Sequence, residues 1–315
     1  MTAIEVQQRV PSAPTAMRSR REGGETPEST QWGADCEYGL LRDVLLGRPQ
    51  YMELLPTNSV SRSQIKSGVR FDPAVASAQH RELADAFVTA GVRVHYLESD
   101  ASLPYQVFAR DSSVMTPYGA IVAQLSQWWR RGEYAPVTRF FLDNGIPIYD
   151  IVTAGAFEGG DFNVVRPKSL LLGYSEVRTQ LTGAKQVLNW LETEGWEVQL
   201  VYLDAFFVHF DVSVAMLTDG LAAACLDVLP PNVVEWMRLK RIDFVPVTFP
   251  EMMALGCNVI SLGGDRVLIP KSSRNLRAAC LAHGLEVFDP DLSMITILGG
   301  GVHCLCQALR RDPGG

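Results

Sequence analysis

The chain has 315 residues and a formal net charge of −7, and 47% of its residues are hydrophobic against 20% charged. This balance is typical of a soluble globular protein with a large buried core. The acidic excess, with Lys and Arg scattered along the chain, argues against a nucleic-acid partner. No apolar run reaches the ~18–20 residues that a membrane span needs, so no membrane partner is expected.

The chain is predicted to consist of a short tail and one domain. Residues 1–33 are rich in Pro, Ser, Gly and Arg and contain no apolar secretory core, so we predict a flexible N-terminal tail. Residues 34–315 are the predicted domain. Six cysteines in a chain of this length do not form a disulfide framework. They favour a reduced, cytoplasmic setting.

Predicted helices and strands alternate along the chain. Apolar three-to-four spacing, bounded by prolines and glycines, predicts helices over residues 72–90, 132–144, 182–194, 230–240 and 273–283. Short apolar strands follow them over residues 92–95, 146–148, 196–198, 244–247 and 285–287. Turn residues at 117–119, 166–168, 219–220 and 263–265 indicate hairpins before the last four helices.

A polar residue recurs at nearly constant spacing just before these hairpins. Asp111, Asp161 and Asp211 are 50 residues apart (111→161→211), and Asn258 follows 47 residues later (211→258). About five hairpin–helix–strand units fit between residues 34 and 311. One unit cannot bury its own sheet and helix, so the units are expected to pack around a common axis onto which the polar residues converge. An open doubly wound α/β sheet is the alternative, but it gives no reason for a recurring polar residue.

The residues near these positions are a thiol, a histidine and several carboxylates. The candidates are Asp111, Glu158, Asp161, His209, Asp211 and Cys304. A cysteine thiolate is a nucleophile, a histidine moves protons, and a carboxylate fixes the histidine tautomer. Further carboxylates in the same cleft need a positive partner, and a planar guanidinium suits a carboxylate fork.

Cys304 is the preferred nucleophile because three glycines precede it and let its backbone approach a ligand closely. Cys306 is the rival. His209 and Asp211 are two residues apart and are predicted to share one face of a strand. His303, Cys304 and Cys306 lack a second pair at zinc spacing, so no metal is expected. Motifs for nucleotide binding, serine hydrolysis and metalloprotease chemistry are absent, and no cofactor is expected.

Several segments, taken in order, resemble the guanidino-group-modifying superfamily, which has the pentein fold. This superfamily includes arginine deiminases, dimethylarginine dimethylaminohydrolases, agmatine deiminases and amidinotransferases. The similar segments are Phe108–Asp111 (F-x-R-D), Glu158–Asp161 (E-G-G-D), His209–Asp211 (H-x-D) and Gly299–Cys304 (G-G-G-x-H-C). Ser175–Thr179 resembles the S-E-R-T segment with one residue inserted. The resemblance covers residues 34–311.

The resemblance implies an α/β five-bladed β/α propeller with pseudo-fivefold ββαβ repeats around a central active site. It implies a cysteine-dependent hydrolase of a small guanidino compound such as arginine, acting through a covalent S-alkylthiouronium and giving a ureido product. The roles it implies are catalytic for Cys304, His209 and Glu158, and substrate-binding for Asp111, Asp211, Arg178 and Asp161. Arg178 would bind the substrate α-carboxylate.

Three alternatives stay open at this point. An amidinotransferase would resolve the same covalent intermediate with an amine instead of water. A dimethylarginine hydrolase would usually carry H-L-K where this chain has His209-Phe210-Asp211, so an unmethylated guanidine is favoured. A non-catalytic binding member of the fold would be expected to lack the reactive residues. The sequence is compatible with a homodimer and does not fix the oligomeric state.

Overall fold

The computed structural model of the chain describes residues 26, 28–29 and 31–314. Most of the predicted tail, residues 1–33, therefore lies outside the described residues. Its described end packs on the rest of the chain: Ser29 N donates to Pro117 O, Gly33 pairs with Arg310, and Trp32 is buried. Described residues that precede the predicted boundary at residue 34 are therefore packed on the domain.

The secondary structure consists of short strands and helices in regular alternation. The strands are β1 (Leu41–Leu46), β2 (Arg93–Tyr96), β3 (Ser113–Thr116), β4 (Gly119–Val122), β5 (Ile148–Ile151), β6 (Phe162–Arg166), β7 (Ser169–Tyr174), β8 (Glu197–Tyr202), β9 (Val214–Thr218), β10 (Leu221–Ala224), β11 (Asp243–Pro246), β12 (Ile260–Ser261), β13 (Arg266–Leu268), β14 (Glu286–Phe288) and β15 (Cys306–Arg311). The helices are α1 (Ser59–Lys66), α2 (Pro73–Thr89), α3 (Tyr134–Asp143), α4 (Leu181–Thr193), α5 (Pro231–Leu239), α6 (Phe249–Met253), α7 (Arg274–Ala282), α8 (Ser293–Thr296) and α9 (Val302–Leu305).

Within the described residues these strands form five separate three-stranded sheets. Their strand orders are β15-β1-β2, β3-β4-β5, β6-β7-β8, β9-β10-β11 and β12-β13-β14. In each sheet the middle strand is antiparallel to one neighbour and parallel to the other. A parallel neighbour needs a crossover connection, which a helix supplies in every unit. The predicted hairpin–helix–strand order is confirmed, and a single doubly wound sheet is excluded.

The five predicted helices match α2, α3, α4, α5 and α7, with ends within about two residues of prediction. At the end of α4, Gly195 adopts the predicted left-handed conformation, with φ of 77°. The largest difference is at α3, predicted from residue 132. Residues Arg131–Glu133 form a 3₁₀ turn there, so the α-helix begins at Tyr134.

The first sheet joins the two ends of the described chain, because β15 pairs antiparallel with β1. Among the residues that the structure describes, buried apolar side chains form five clusters, each with members from both strands and helices. Short 3₁₀ turns over Ala109–Ser112, Gly159–Asp161 and Phe210–Val212 lead into β3, β6 and β9. These turns contact one another in succession, and α9 contacts the first of them. The recurring aspartates are thereby brought to one region. None of the described helices is both long enough and apolar enough to traverse a lipid bilayer.

Candidate active site

Cys304 lies in the single turn of α9, between the three glycines and β15, and only 4% of its surface is exposed. Asn258 holds it from two directions. The Asn258 side-chain amide accepts a hydrogen bond from Cys304 N at 3.2 Å and donates one to Cys304 Sγ at 3.2 Å. A Cβ atom on Gly301 would lie 2.7 Å from Asn258 Oδ1. The need for glycine at this position is therefore explained by the approach of Asn258, a different reason from the predicted approach of a ligand.

His209 precedes the 210–212 turn as an extended residue and does not belong to a strand. The prediction that it shares a strand face with Asp211 is therefore wrong, and the two side chains have different partners. His209 Nε2 lies 2.8 Å from Glu158 Oε2, and Nδ1 lies 3.5 Å from Asp111 Oδ1. Gly160 packs directly on the imidazole, since a Cβ there would lie 2.7 Å from the ring.

The carboxylates around His209 stabilise its protonated form. Burial disfavours the imidazolium, but Asp111 and Glu158 outweigh burial and raise the pKa of His209 to about 9. Glu158 is fully buried, which opposes its ionisation. The positive charges of Arg178 and His209 nevertheless hold the pKa of Glu158 well below its usual range. The two groups therefore form an imidazolium–carboxylate pair and titrate together.

Arg130 is a buried cation of this site that sequence reasoning missed. Its guanidinium contacts Asp111 Oδ2 at 2.6 Å and both oxygens of Glu133, at 2.7 and 2.8 Å. Glu158 Oε2 lies 4.0 Å away. Only Glu133 is near Arg130 in sequence, so no local pattern could have shown that Arg130 reaches Asp111.

Asp111 keeps one oxygen free. Oδ2 pairs with Arg130, whereas Oδ1 is buried and accepts no hydrogen bond from any described residue. His209 Nδ1 lies 3.5 Å from Oδ1. A buried acceptor without a donor is costly, and a ligand N–H would satisfy it.

A cleft of about 330 Å³ brings Cys304, His209, Asp111 and Arg178 together. The remaining lining residues are Asn58, Tyr105, Phe108, Arg130, Val208, Val212, Leu298, Gly299 and Gly300. Glu158 lies behind His209, outside this lining, and contacts Arg178 Nη1 at 3.6 Å. The predicted nucleophile, proton carrier and two substrate-binding residues thus face one cleft. Cys306 lies in β15 and does not line it.

Of the four predicted substrate-binding residues, Asp111 and Arg178 line the cleft, whereas Asp211 does not. Asp161 also lies outside the lining. Its Oδ1 accepts a hydrogen bond from Phe210 N at 2.9 Å, which holds the backbone next to His209. Burial raises the pKa of Asp161 to about 6. Its geometry is that of a group that supports the His209 segment.

Asp211 lies beside the nucleophile. Its Oδ2 is 3.4 Å from Cys304 Sγ and 2.8 Å from His303 Nδ1, and its Oδ1 is 3.8 Å from Sγ. Burial, followed by the nearby carboxylates of Asp211 and Asp111, raises the pKa of Cys304 well above its usual range. The free thiol is therefore protonated near neutral pH. Added positive charge would be needed to favour the thiolate.

Asp111, Glu158 and His209 each offer a ligand atom within 4.8 Å of the others, close enough to share one small cation. Arg130 and Arg178 already supply positive charge to both carboxylates. The cluster also contains a protonated histidine, which cannot ligate a metal. The chemistry of this cluster therefore suits an organic cation better than a metal ion.

The model of the family described as N,N dimethylarginine dimethylhydrolase, eukaryotic, matches residues 48–311, which is most of the chain. The chain belongs to this family. Its members and structural relatives are guanidino-modifying hydrolases of the pentein superfamily.

Curated relatives include proteins with and without a stated activity. YkgA of Bacillus subtilis, described as uncharacterized, is 26% identical over 87% of this chain and 94% of its own length. The bifunctional arginine dihydrolase/ornithine cyclodeaminase ArgZ of Synechocystis is 24% identical over 64% of this chain. That match spans only 29% of ArgZ.

Solved structures share the fold. A mutant of the Pseudomonas aeruginosa protein DDAH, complexed with citrulline, superposes with a TM-score of 0.72 at 23% identity, covering 85% of this chain and 99% of that one. The N-terminal domain of ArgZ, an arginine dihydrolase of cyanobacteria, superposes with a TM-score of 0.75 at 19% identity, covering 86% of this chain and 98% of that one. The pentein α/β fold expected from the sequence is thereby supported independently of any motif.

Proposed function

We propose that the protein is a cysteine-dependent hydrolase of a small, unmethylated guanidino compound, most simply arginine, that releases a ureido product and ammonia. The supporting observation is the free Oδ1 of Asp111, in a cleft that also exposes Cys304 and His209. A guanidinium N–H would satisfy that oxygen and would supply the positive charge that the thiol needs. We further propose that residues 34–315 form one catalytic domain whose five sheets are the blades of a propeller around this cleft.

In the proposed mechanism, the bound cation favours ionisation of Cys304, whose thiol proton passes to solvent, and the resulting thiolate attacks the central guanidino carbon. The His209 imidazolium, oriented by Glu158, protonates the departing nitrogen as its bond to carbon breaks. A covalent thiouronium remains on Cys304, and His209 is now neutral. It then takes a proton from the attacking water, and collapse of the second tetrahedral adduct expels the thiolate and the ureido product.

The sequence predicts that Asp111 and Asp211 together bind the guanidinium. We assign this binding mainly to Asp111. Both oxygens of Asp211 already contact His303 or the sulfur, so Asp211 is proposed to act at the nucleophile. Arg178 lines the cleft and is proposed to bind the α-carboxylate of the substrate. Asn58 and Tyr105 also line the cleft, and their polar groups are hydrogen-bonded within the chain.

A substrate panel tests this proposal. We would incubate the wild type and C304S with arginine, methylated arginines, agmatine and guanidino acids, and measure ammonia, amine and ureido products. The expected result is ammonia and citrulline from arginine, with at least about 10³-fold lower turnover in C304S. Release of methylamines in preference to ammonia would instead indicate a methylarginine hydrolase, which the family match favours.

The panel also tests the remaining alternatives. Ornithine formed only when an acceptor amine is present would indicate an amidinotransferase, as the Gly299–Cys304 segment allows. A non-catalytic binding protein would give no product with any compound, and a haloacetamidine would not alkylate Cys304 rapidly. Arg178→Met should weaken arginine use about tenfold more than agmatine use, because agmatine lacks the carboxylate while both substrates share the effect of the lost Glu158 contact.

A further inference from the structure

A second histidine is connected to the nucleophile through Asp211. His303 Nδ1 lies 2.8 Å from Asp211 Oδ2, and His303 Nε2 lies 2.8 Å from Glu37 Oε2. The same Asp211 oxygen lies 3.4 Å from Cys304 Sγ. Glu37, His303, Asp211 and the sulfur therefore form a continuous polar chain that runs from the nucleophile away from the cleft.

This chain is buried and well anchored. The His303 and Asp211 side chains are 2% and 0% exposed, and that of Glu37 is 11% exposed. Arg110 fixes the other oxygen of Glu37 at 2.6 Å and donates from Nε to Gly159 O at 3.0 Å. The turn that carries Asp111 thus also holds the far end of this chain.

His303 is positioned to carry a positive charge. Burial disfavours that charge, but the carboxylates of Glu37 and Asp211 on its two nitrogens raise the pKa of His303. Burial likewise opposes ionisation of Glu37, but Arg110 and His303 lower the pKa of Glu37 to about 2. An imidazolium donating to two carboxylates satisfies every polar atom of the ring.

A carboxylate 3.4 Å from the sulfur would oppose the thiolate if its charge were not offset. We propose that His303, held between Glu37 and Asp211, is a positioning residue that offsets the Asp211 charge and so lets Cys304 ionise beside it. This role rests on the proposed function only in taking Cys304 as the nucleophile.

Other charged groups face the chain from every element packed on it. Asp111, from the 109–112 turn, adds to the negative potential at Cys304, and Arg110, from the same turn, opposes protonation of His303. Arg311 of β15 adds positive charge at Glu37. These groups are unchanged in the variants below, so differences among the variants report on His303 and Glu37.

The experiment measures the rate of Cys304 alkylation by iodoacetamide between pH 6 and pH 10 in the wild type, H303Q, H303N and E37Q. Iodoacetamide is neutral and does not need a guanidinium site. Fragment-ion mass spectrometry locates the modification, because Cys280 and Cys306 share the tryptic peptide 278–310 with Cys304. The matched control is H95Q, which removes another histidine paired with a carboxylate, at Asp43 Oδ1, 2.8 Å away.

We expect H303Q and H303N to slow Cys304 alkylation by at least about tenfold at each pH below the midpoint of the profile, because a rise of about one unit in the midpoint lowers the thiolate fraction tenfold there. E37Q should give a smaller shift in the same direction, since His303 loses a carboxylate that stabilises its protonated form. H95Q should match the wild type.

Folded H303Q and H303N variants with wild-type profiles would overturn the proposal. If both fail to fold, E37Q decides alone, because it changes His303 from the side away from the sulfur, and a wild-type E37Q profile would be the contrary result. A shifted profile in a protein that turns over no guanidino compound would refute the proposed function and leave the role of His303 standing. Turnover of a guanidino compound together with variant alkylation profiles that match the wild type would support the proposed function and refute the role of His303.

Discussion

Two histidines on opposite sides of the nucleophile are each placed between two carboxylates, yet their surroundings differ. His209 lies 2.8 Å from Glu158 and 3.5 Å from Asp111, and it lines the cleft. His303 has two partners at 2.8 Å and faces no opening of that cleft. The long contact leaves Asp111 Oδ1 without a hydrogen bond within the described part of the chain.

Residue type alone therefore does not distinguish a histidine that acts on the substrate from one that supports the nucleophile. Both sites use an imidazole, two carboxylates and at least one arginine on a carboxylate. The two networks differ in hydrogen bonding. Each ring nitrogen and carboxylate of the His303 network has a partner, whereas in the His209 network Asp111 Oδ1, on a residue that lines the cleft, has no hydrogen-bond donor among the described residues. An incomplete buried network is where a ligand would contribute most.

Replacing each histidine in turn is the strongest test of whether His209 and His303 have different roles. H209N should lower kcat by about 10³-fold or more, because no other described group in the lining is placed to protonate the leaving nitrogen. H303N should lower it by only about tenfold, because it acts through Asp211. Steady-state rates with arginine, alongside thermal unfolding of both variants, measure the difference. Equal losses in two folded variants would contradict the distinction.

The free oxygen of Asp111 is tested by ligand binding. D111N in a C304A background should weaken arginine binding by about 10²-fold, because a charge-assisted pair to the guanidinium is lost. Binding of neutral citrulline should weaken much less. Isothermal titration calorimetry measures both ligands on the same protein. If the two ligands lose affinity equally, the effect comes from rearrangement of Arg130 and not from the lost pair.

The charge around His209 is tested by pH. The pKa of His209 is raised to about 9, so the imidazolium is present below that pH and is lost as the pH rises through it. E158Q removes a carboxylate and should move the alkaline limb of kcat/KM to lower pH by about one unit. E133Q is the control, since Glu133 pairs with Arg130 and does not touch His209. If the alkaline limb of kcat/KM in E158Q stays at the wild-type pH, a group other than His209 determines that limb.

Much of the fold could be predicted from the sequence because it repeats. The regular return of a polar residue before the hairpins, at Asp111, Asp161, Asp211 and Asn258, indicated the units. Apolar spacing predicted helices that match α2 and α4 within about a residue. The closing pair of β15 with β1 was not predicted, because no local pattern reports a contact between the two ends of a chain.

The site was predicted only in part. Motif order indicated Cys304, His209 and Asp111, which line one cleft. It did not indicate Arg130 or Glu37, whose partners are remote in sequence. The order of the residues also could not show that neighbours such as His209 and Asp211 turn to different partners, because a 3₁₀ turn replaces the expected strand there.

The smallest predicted effect is on the free energy of unfolding. It tests whether the Asp161 carboxylate supports the His209 segment or binds substrate. The pKa of Asp161 is raised to about 6 from its ordinary value of 3.8, so the folded chain holds this proton more tightly than the unfolded chain does. Its contribution to stability is therefore present at low pH and is lost as the pH rises from about 4 to 6.

D161N should remove that loss while its amide oxygen still accepts from Phe210 N. The free energy of unfolding of D161N relative to wild type should then rise by about 2 kcal/mol between pH 4.5 and pH 7. Urea unfolding at both pH values measures this, with D265N, at an exposed turn residue, as the control. A flat difference would mean that the Asp161 proton is not coupled to folding. The Asp161 carboxylate would then be ionised beside His209 near neutral pH in the folded chain.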